Sequence, residues 1–354
     1  SADLCNKYID ALIKEIHIVG GQNTEKKTVT SLYFGGGTPA LAATRIKEIV
    51  DALNEHFIIT DGIGLELHPS NVNVETLQIL KDAGVTKISI GIQSFCDKYQ
   101  KILGRKKIDT SAMMSALAAV PFETVSMDFI FALPGQTYND LKSDIDTAFS
   151  LGANHIAIYP FIDFTFTKSP VVAMPKKEKR KLLDAITQYC LSKGYLRDSI
   201  WTFSSKPNAK YSSMTRDNFL GFGCSATSLF KEQFKISTFN VESYCERIAS
   251  DDLATSLTIR FTKRQRMIYW LFWTAYSTRV KARDFEKFFG VPLKKMYGFE
   301  LWGAKRLGFI KEHDGTYEMT LKGAFYYHYY ENFYTLSYID KMWGLMRTTP
   351  FPNG

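Results

Sequence analysis

Cysteine is scarce in this chain of 354 residues, and its five cysteines lie far apart. The count is odd, and no two cysteines have the spacing of a metal site, so a disulfide framework and a cysteine metal site within the chain are both disfavoured. Reduced thiols are the default for such a sequence, and we expect a cytoplasmic protein. The five positions are Cys5, Cys96, Cys190, Cys224 and Cys245.

Other features are also missing. No apolar run is long enough to span a membrane, and no signal peptide is present, so we expect no membrane span. The net charge is +8, but no dense basic run accompanies it, and we expect no nucleic-acid partner. The chain begins at Ser1 without a methionine, from which we expect that a segment upstream has been lost.

Strands and helices alternate through the first 205 residues. Nearly continuous apolar strands between helices predict a parallel sheet covered by helices, either open or closed into a barrel. The predicted strands are 29–34, 64–67, 87–92, 125–131, 155–159 and 199–203. The predicted helices are 4–16, 42–56, 74–83, 97–103, 110–119, 138–151 and 176–193. In either architecture a ligand binds where the strands end, at their carboxyl edge.

The pattern changes after residue 205. Residues 206–258 are predicted to form polar turns and a loop of small residues, NFLGFGCSATS, at 218–228. Residues 259–354 read as helices 263–276, 282–289 and 293–307 with a hairpin at Asp314-Gly315, a winged-helix-like unit. An aromatic-rich helix then follows from 325 to 347. Its aromatic stripe is either core packing or a surface for a flat hydrophobic ligand.

Polar side chains stand where successive strands end. The first strand runs into Gly35-Gly36-Gly37-Thr38-Pro39, which is neither a dinucleotide fingerprint nor a phosphate-binding loop. Glu66, Gln93 and Asp128 lie at or near the ends of the next three strands, and Arg105 follows Gln93. A charge inside a buried strand requires a partner, which is either mutual pairing, such as Arg105 with Glu66 or Asp128, or a ligand.

The ligand alternative has a specific chemistry. An α-ammonium group suits backbone carbonyls and Glu66, an α-carboxylate suits the guanidinium of Arg105, and ribose hydroxyls suit Gln93 and Asp128. These are the polar groups of S-adenosylmethionine (SAM).

Four motifs in this order resemble one family. YFGGGTP, ELHP, IGIQSF followed by Arg105, and MDFIFALPGQT are similar to the oxygen-independent coproporphyrinogen III oxidase family of radical SAM enzymes. The resemblance implies a partial (β/α) TIM-type barrel over 1–205 and a C-terminal helical, winged-helix-like domain over 259–354. It also implies that adenine lies beside Ile130 and Ile162. The SAM-binding residues that it implies are Gly35, Gly36, Gly37, Thr38, Glu66, Gln93, Arg105, Asp128, Ile130 and Ile162.

The family's cluster motif is missing from this chain. Members carry CxxxCxxC just before the helix that begins here, and its three thiolates leave one iron of a 4Fe–4S cluster free for SAM. We expect this motif upstream of Ser1, and the alternative is a relative without a cluster. His68, which follows the Glu66 strand, is a candidate ligand or proton donor.

The details indicate a branch that acts on haem. IYPFIDF and YIDKMWGLMR resemble the anaerobic haem-degrading radical SAM methyltransferases, the anaerobilin synthases. That resemblance implies methylation and opening of the haem ring, with an electron donor such as flavodoxin or ferredoxin. A haem-binding chaperone and a coproporphyrinogen III oxidase-like decarboxylase remain the alternatives.

Overall fold

The computed structural model describes residues 2–161, 174–207, 217–334 and 339–351. Its first part alternates strands and helices, as the sequence predicts, and a 3₁₀ helix follows β2 (Pro39–Arg45) and another follows β4 (Pro69–Asn71). The elements in chain order are α1 (Ala2–Gly20), β1 (Lys27–Val29), β2 (Leu32–Phe34), α2 (Ile46–His56), β3 (Phe57–Ile59), β4 (Ile63–Leu67), α3 (Val74–Asp82), β5 (Lys87–Gln93), α4 (Asp97–Ile102), α5 (Thr110–Ala119), β6 (Thr124–Phe131), α6 (Tyr138–Ser150), β7 (His155–Pro160), α7 (Lys176–Ser192), β8 (Leu196–Arg197) and β9 (Thr202–Ser204).

The main sheet has seven strands in the order β2-β4-β5-β6-β7-β9-β8. The first five are parallel, whereas β9 runs antiparallel to β7 and to β8. This arrangement confirms the predicted partial β/α barrel. Two details differ from the prediction. The strand expected over 29–34 is divided into β1, which pairs with β3, and β2, and the last strand is only Thr202–Ser204.

The register of the parallel strands places a row of small and polar residues across the sheet. Glu66 pairs with Ser89, Ser89 with Ser126, and Ser126 with His155. Side chains alternate between the two faces of a strand, so these residues and Asp128, two positions beyond Ser126, share one face. The apolar residues between them, such as Leu65 and Met127, are fully buried on the other face.

The rest of the chain forms smaller units. Its elements are β10 (Thr227–Phe230), β11 (Gln233–Ser237), α8 (Val241–Ala249), β12 (Thr255–Arg260), α9 (Lys263–Tyr276), β13 (Arg279–Lys281), α10 (Ala282–Phe289), α11 (Leu293–Arg306), β14 (Ile310–His313), β15 (Thr316–Met319), α12 (Leu321–Tyr334) and α13 (Asp340–Thr348).

The sequence predicts the hairpin β14–β15 correctly, because both residues of its turn, Asp314 and Gly315, have positive φ angles. It misses the antiparallel sheet β10-β11-β12. The helix expected over 325–347 includes most of α12 and α13, and residues 335–338 between them lie outside the described residues. Trp270, Phe285 and Tyr317 form a core for the C-terminal unit that is separate from the barrel core. Within the described ranges, no helix combines the length and apolar character that a membrane crossing requires.

Candidate functional site

The glycine turn after β2 leaves space at the carboxyl edge of the sheet. Gly36 and Gly37 have φ angles of 76° and 57°, a left-handed conformation that side chains disfavour, and a Cβ added to either would meet no atom within 4 Å. Gly35 is required for a different reason, because its Cβ would lie 2.5 Å from the ring of Tyr33. The hydroxyl of Thr38, the next residue, makes no capping hydrogen bond to the 3₁₀ helix that begins there.

Glu66 faces this turn from β4. Its Oε2 accepts a hydrogen bond of 3.2 Å from the backbone N–H of Gly36, and its Oε1 accepts one from the hydroxyl of Tyr33. The carboxylate is therefore oriented beside the open turn, where the strand leaves it partly accessible. It can accept hydrogen bonds from an ammonium group placed over Gly36 and Gly37.

Arg105 reaches the same edge from the segment after α4. Its Nη1 donates a 2.6 Å hydrogen bond to the carbonyl of Gly91 on β5. Among the described residues, no carboxylate lies within salt-bridge distance of the guanidinium, so the structure does not support the pairing of Arg105 with Glu66 or Asp128. Burial alone lowers the pKa of Arg105. A half-buried guanidinium without an acid suits a ligand carboxylate.

Gln93 ends β5 in a strained conformation. Its φ angle is 70°, an uncommon value for a residue with a side chain, and the pairing with β6 shifts between Ile90 and Gln93. A Cβ added to Gly91 would lie 3.2 Å from the amide nitrogen of Gln93 and 4.0 Å from Nη1 of Arg105. Gly91 therefore allows the amide and the guanidinium to approach the strand together. Strain of this kind is common where a side chain is held for binding.

Asp128 lies on β6 in the polar row. Its Oδ1 accepts hydrogen bonds from Ser89 (2.8 Å) and Ser126 (3.3 Å). Burial raises the pKa of Asp128 to about 7, the charge of Glu66 adds to the rise, and the two serine hydrogen bonds oppose it. By the register of β4, β5 and β6, the carboxyl groups of Glu66 and Asp128 lie on the same face of the sheet. Near neutral pH the Asp128 carboxyl can therefore either donate or accept a hydrogen bond.

The remaining predicted residues lie around this edge. His68 is exposed, its Nδ1 lies 2.7 Å from the hydroxyl of Ser70, and burial together with the charge of Arg105 lowers its pKa. The carbonyl of Ile130 accepts a 3.1 Å hydrogen bond from Nε2 of Gln136. Ile162 lies outside the described residues, so its role beside adenine stays a prediction.

The loop Gly221–Ser228 is tied to α1. The N–H of Gly223 donates to the carboxylate of Glu15 (2.7 Å), and the N–H of Cys224 donates to the hydroxyl of Tyr8 (3.2 Å). Glu15 is buried and also accepts a hydrogen bond from Tyr244, so this acid fixes the loop and α8 to α1. Burial raises the pKa of Cys224 to about 11, which keeps its thiol protonated and supports a packing role.

The cysteines of the chain do not supply the ligands of an iron–sulfur cluster. They lie on α1, before α4, on α7, in the loop Gly221–Ser228 and on α8. Within the described ranges, no three cysteine sulfurs come within 4.8 Å of one another.

Three contributors to the site were missed at the level of sequence. Tyr33 orients Glu66, while Ser89 and Ser126 hold Asp128. The two serines could have been recognised in the sequence, because they are polar residues within two largely apolar strands. Nothing in the sequence distinguishes Tyr33 as a site residue, because a tyrosine beside a phenylalanine at the end of a strand is ordinary core composition.

Comparison with known proteins identifies this architecture. The sequence model of the radical SAM superfamily matches residues 9–148. The haem chaperone HemW of Bacillus subtilis (strain 168) is 26% identical over 337 residues, which cover 90% of this chain and 88% of the relative. Anaerobilin synthase of Escherichia coli O157:H7 is 26% identical over 286 residues, which cover 74% of this chain and 63% of the relative.

The fold has a counterpart among solved structures. Coproporphyrinogen III oxidase (HemN) from Escherichia coli, a radical SAM enzyme, superposes with a TM-score of 0.76 at 18% identity, over 91% of this chain and 81% of that structure. The radical SAM fold implies SAM and a 4Fe–4S cluster as cofactors. The guanidinium of Arg105, the amide of Gln93 and the carboxyl groups of Glu66 and Asp128 at the carboxyl edge fit SAM. Residues 9–148 therefore carry a radical SAM domain, and the chain is similar to HemW, HemN and anaerobilin synthase.

Proposed function

We propose that the protein binds SAM at the carboxyl edge of its sheet and uses it to methylate haem and open the tetrapyrrole ring. One observation carries the SAM site. Arg105 presents a half-buried guanidinium that has no carboxylate partner among the described residues, at the same edge of the sheet as the open glycine turn that Glu66 flanks. This arrangement leaves a cation for the methionyl carboxylate and an anion for the methionyl ammonium.

In this proposal, different residues of the site bind different groups of SAM. Glu66, held by Tyr33, and the turn at Gly36 bind the ammonium group, and Arg105 binds the carboxylate. Gln93 and Asp128 bind the ribose hydroxyls. When bound, SAM supplies an electrophilic methyl group and, after one-electron reduction, radical chemistry. The protein's part is to orient the molecule, because Glu66, Gln93 and Asp128 lie on strands and Arg105 is hydrogen-bonded to the carbonyl of Gly91 on β5.

Haem is proposed as the substrate on two grounds. The first is the relatives' names, a haem chaperone and an anaerobilin synthase. The second is a surface formed by α7 and α12. Lys176 lies over the ring of Tyr329 at 3.2 Å from its centroid, and Arg180 over that of Phe325 at 4.7 Å. Tyr330 and Phe333 on the same helix are more than half exposed.

The position of this surface suits a substrate of the barrel. α7 follows β7, so it begins at the carboxyl edge, and its cations lie on that side of the barrel. Exposed aromatic rings rimmed by cations suit a flat ring with two propionates. We propose that haem binds over the barrel mouth, beside 162–166, which lie outside the described residues, and the loop Gly221–Ser228.

Product analysis tests this proposal. The protein expressed from its full gene, reconstituted anaerobically with iron and sulfide, is incubated with haem, SAM and a flavodoxin- or ferredoxin-type reductant. We expect mass spectrometry to detect a methylated, ring-opened tetrapyrrole. Haem recovered unchanged after SAM has been consumed would contradict the proposal. In a parallel incubation with coproporphyrinogen III in place of haem, release of carbon dioxide would instead indicate a decarboxylase.

A second candidate function is that of a haem chaperone. The alignment with HemW spans nine-tenths of this chain, which is the observation that favours it. Titration with haem, followed at the Soret band with and without excess SAM, examines the step that both functions share. A saturable change with no modified product supports the chaperone, whereas the absence of any saturable change contradicts both functions.

A further inference from the structure

A second cluster of ligand-type side chains lies away from the SAM site, where α1 and α2 end side by side. His17 is in the last turn of α1, and Glu55 and His56 close α2. Nδ1 of His17 lies 3.0 Å from Nε2 of His56 and 3.7 Å from a carboxylate oxygen of Glu55. One donor atom from each residue lies within 4.8 Å of the other two, and in the described ranges this is the only group of its kind.

The local structure is shaped around these side chains. A Cβ added to Gly20 would lie 2.3 Å from the ring of His56, so glycine is required there for the imidazole to reach His17. The two helices contact each other, and Ile16 on α1 and Leu53 on α2 are both buried in the barrel core, which fixes the positions of the three donors. Donor groups on packed helices are held more accurately than donor groups on loops.

The electrostatic surroundings favour a cation. Both helices end here, and the unpaired carbonyls at a helix C-terminus carry partial negative charge. The ammonium group of Lys26 already binds one such carbonyl, that of Asn54, at 2.7 Å. The side chains of His17 and Glu55 are 43% and 65% exposed, so an ion can enter and keep water on its open side.

We propose that His17, Glu55 and His56 bind a divalent cation of the zinc type. Two imidazole nitrogens and a carboxylate oxygen are borderline ligands that suit Zn²⁺. Bonds of about 2.0 to 2.2 Å in a tetrahedral site place ligand atoms about 3.3 to 3.5 Å apart. The observed separations of 3.0 and 3.7 Å bracket that value, so small side-chain rotations complete the site.

The position of the site defines its role. From α1 and α2 the chain passes through β1 and β3 into β2 and β4 of the main sheet, so the cluster lies towards the amino edge of that sheet, opposite the carboxyl edge that holds Glu66 and Arg105. An ion there joins the ends of two helices and leaves the SAM site free. The site is a clamp that strengthens the contact of α1 with α2, and it has no part in the reaction.

Metal binding to the full chain tests the site. Zn²⁺ is titrated against a chromophoric chelator, and we expect His17→Ala and His56→Ala each to weaken its binding by at least about 10- to 100-fold. Glu55→Gln, which keeps the size of an exposed side chain, is expected to weaken it less. His313→Ala, an exposed histidine on the C-terminal hairpin, is the matched control and is expected to bind as the wild type does.

Two further measurements keep the result decisive. Far-ultraviolet circular dichroism establishes that each variant is folded, and Co²⁺ in place of Zn²⁺ reports the ligands. Visible bands of a four-coordinate site without thiolate-to-cobalt charge transfer support the assignment. Equal zinc affinity in the wild type and His17→Ala, or a thiolate band that shows binding at cysteine, would overturn it.

Discussion

Replacement of Arg105 by alanine removes the one group to which we assign the methionyl carboxylate of SAM. The guanidinium is half-buried, and its only described contact is the carbonyl of Gly91. Loss of a desolvated charged hydrogen bond costs about 2 to 4 kcal/mol, so the dissociation constant for SAM should rise by about 30- to 700-fold. Arg105→Lys should give an intermediate loss, because an ammonium group keeps the charge without the planar fork.

Equilibrium dialysis of SAM against the folded variants measures this change. The control is Arg279→Ala, which removes an exposed arginine that pairs with Glu318 on the C-terminal hairpin. We expect its SAM affinity to equal that of the wild type. Unchanged SAM affinity in a folded Arg105→Ala protein would refute the reasoning, and would show that Arg105 serves only to brace β5.

Three further changes test other parts of the site. Tyr33→Phe frees Glu66 from its hydroxyl partner and should weaken SAM binding by about 3- to 10-fold, a typical value for one hydrogen bond, in the same dialysis assay. Gly36→Ala forces a side chain into a φ angle of 76° and into the open turn, so SAM affinity should fall even where calorimetry shows the fold intact; full affinity would place SAM elsewhere. Burial raises the pKa of Asp128 from 3.8 to about 7, so its contribution to stability is complete below pH 4 and is lost as the pH rises to 7. Asp128→Asn should therefore gain stability relative to the wild type between pH 4 and pH 7 in urea unfolding, and a constant difference over that range would contradict the raised pKa.

The sequence predicts the barrel well because its strands are buried on both faces and its helices are amphipathic. Those patterns are local, and they place Glu66, Gln93 and Asp128 at or near the ends of successive parallel strands. The same reasoning fails for the sheet β10-β11-β12, whose strands are short and mostly half-buried, and whose last strand pairs with β11 only after α8 has intervened. A pattern of alternation is weak in such strands.

The contacts within the site are harder to predict from the sequence than the fold is. Composition leaves open whether Arg105 pairs with an acid of the protein or with a ligand, because that choice depends on the path of the chain between α4 and α5. The strain at Gln93 and the bond from Tyr33 to Glu66 arise from the tertiary arrangement alone. In the cluster of His17, Glu55 and His56 the two histidines are 39 positions apart in the sequence, and no spacing pattern predicts their contact.

A crystal structure of the protein with SAM bound tests the central claim most directly. We predict the methionyl carboxylate within hydrogen-bond distance of Arg105, the ammonium group between Glu66 and the turn at Gly36, and the ribose beside Asp128. SAM bound away from the carboxyl edge of the sheet, or bound there with Arg105 still contacting only Gly91, would contradict the account.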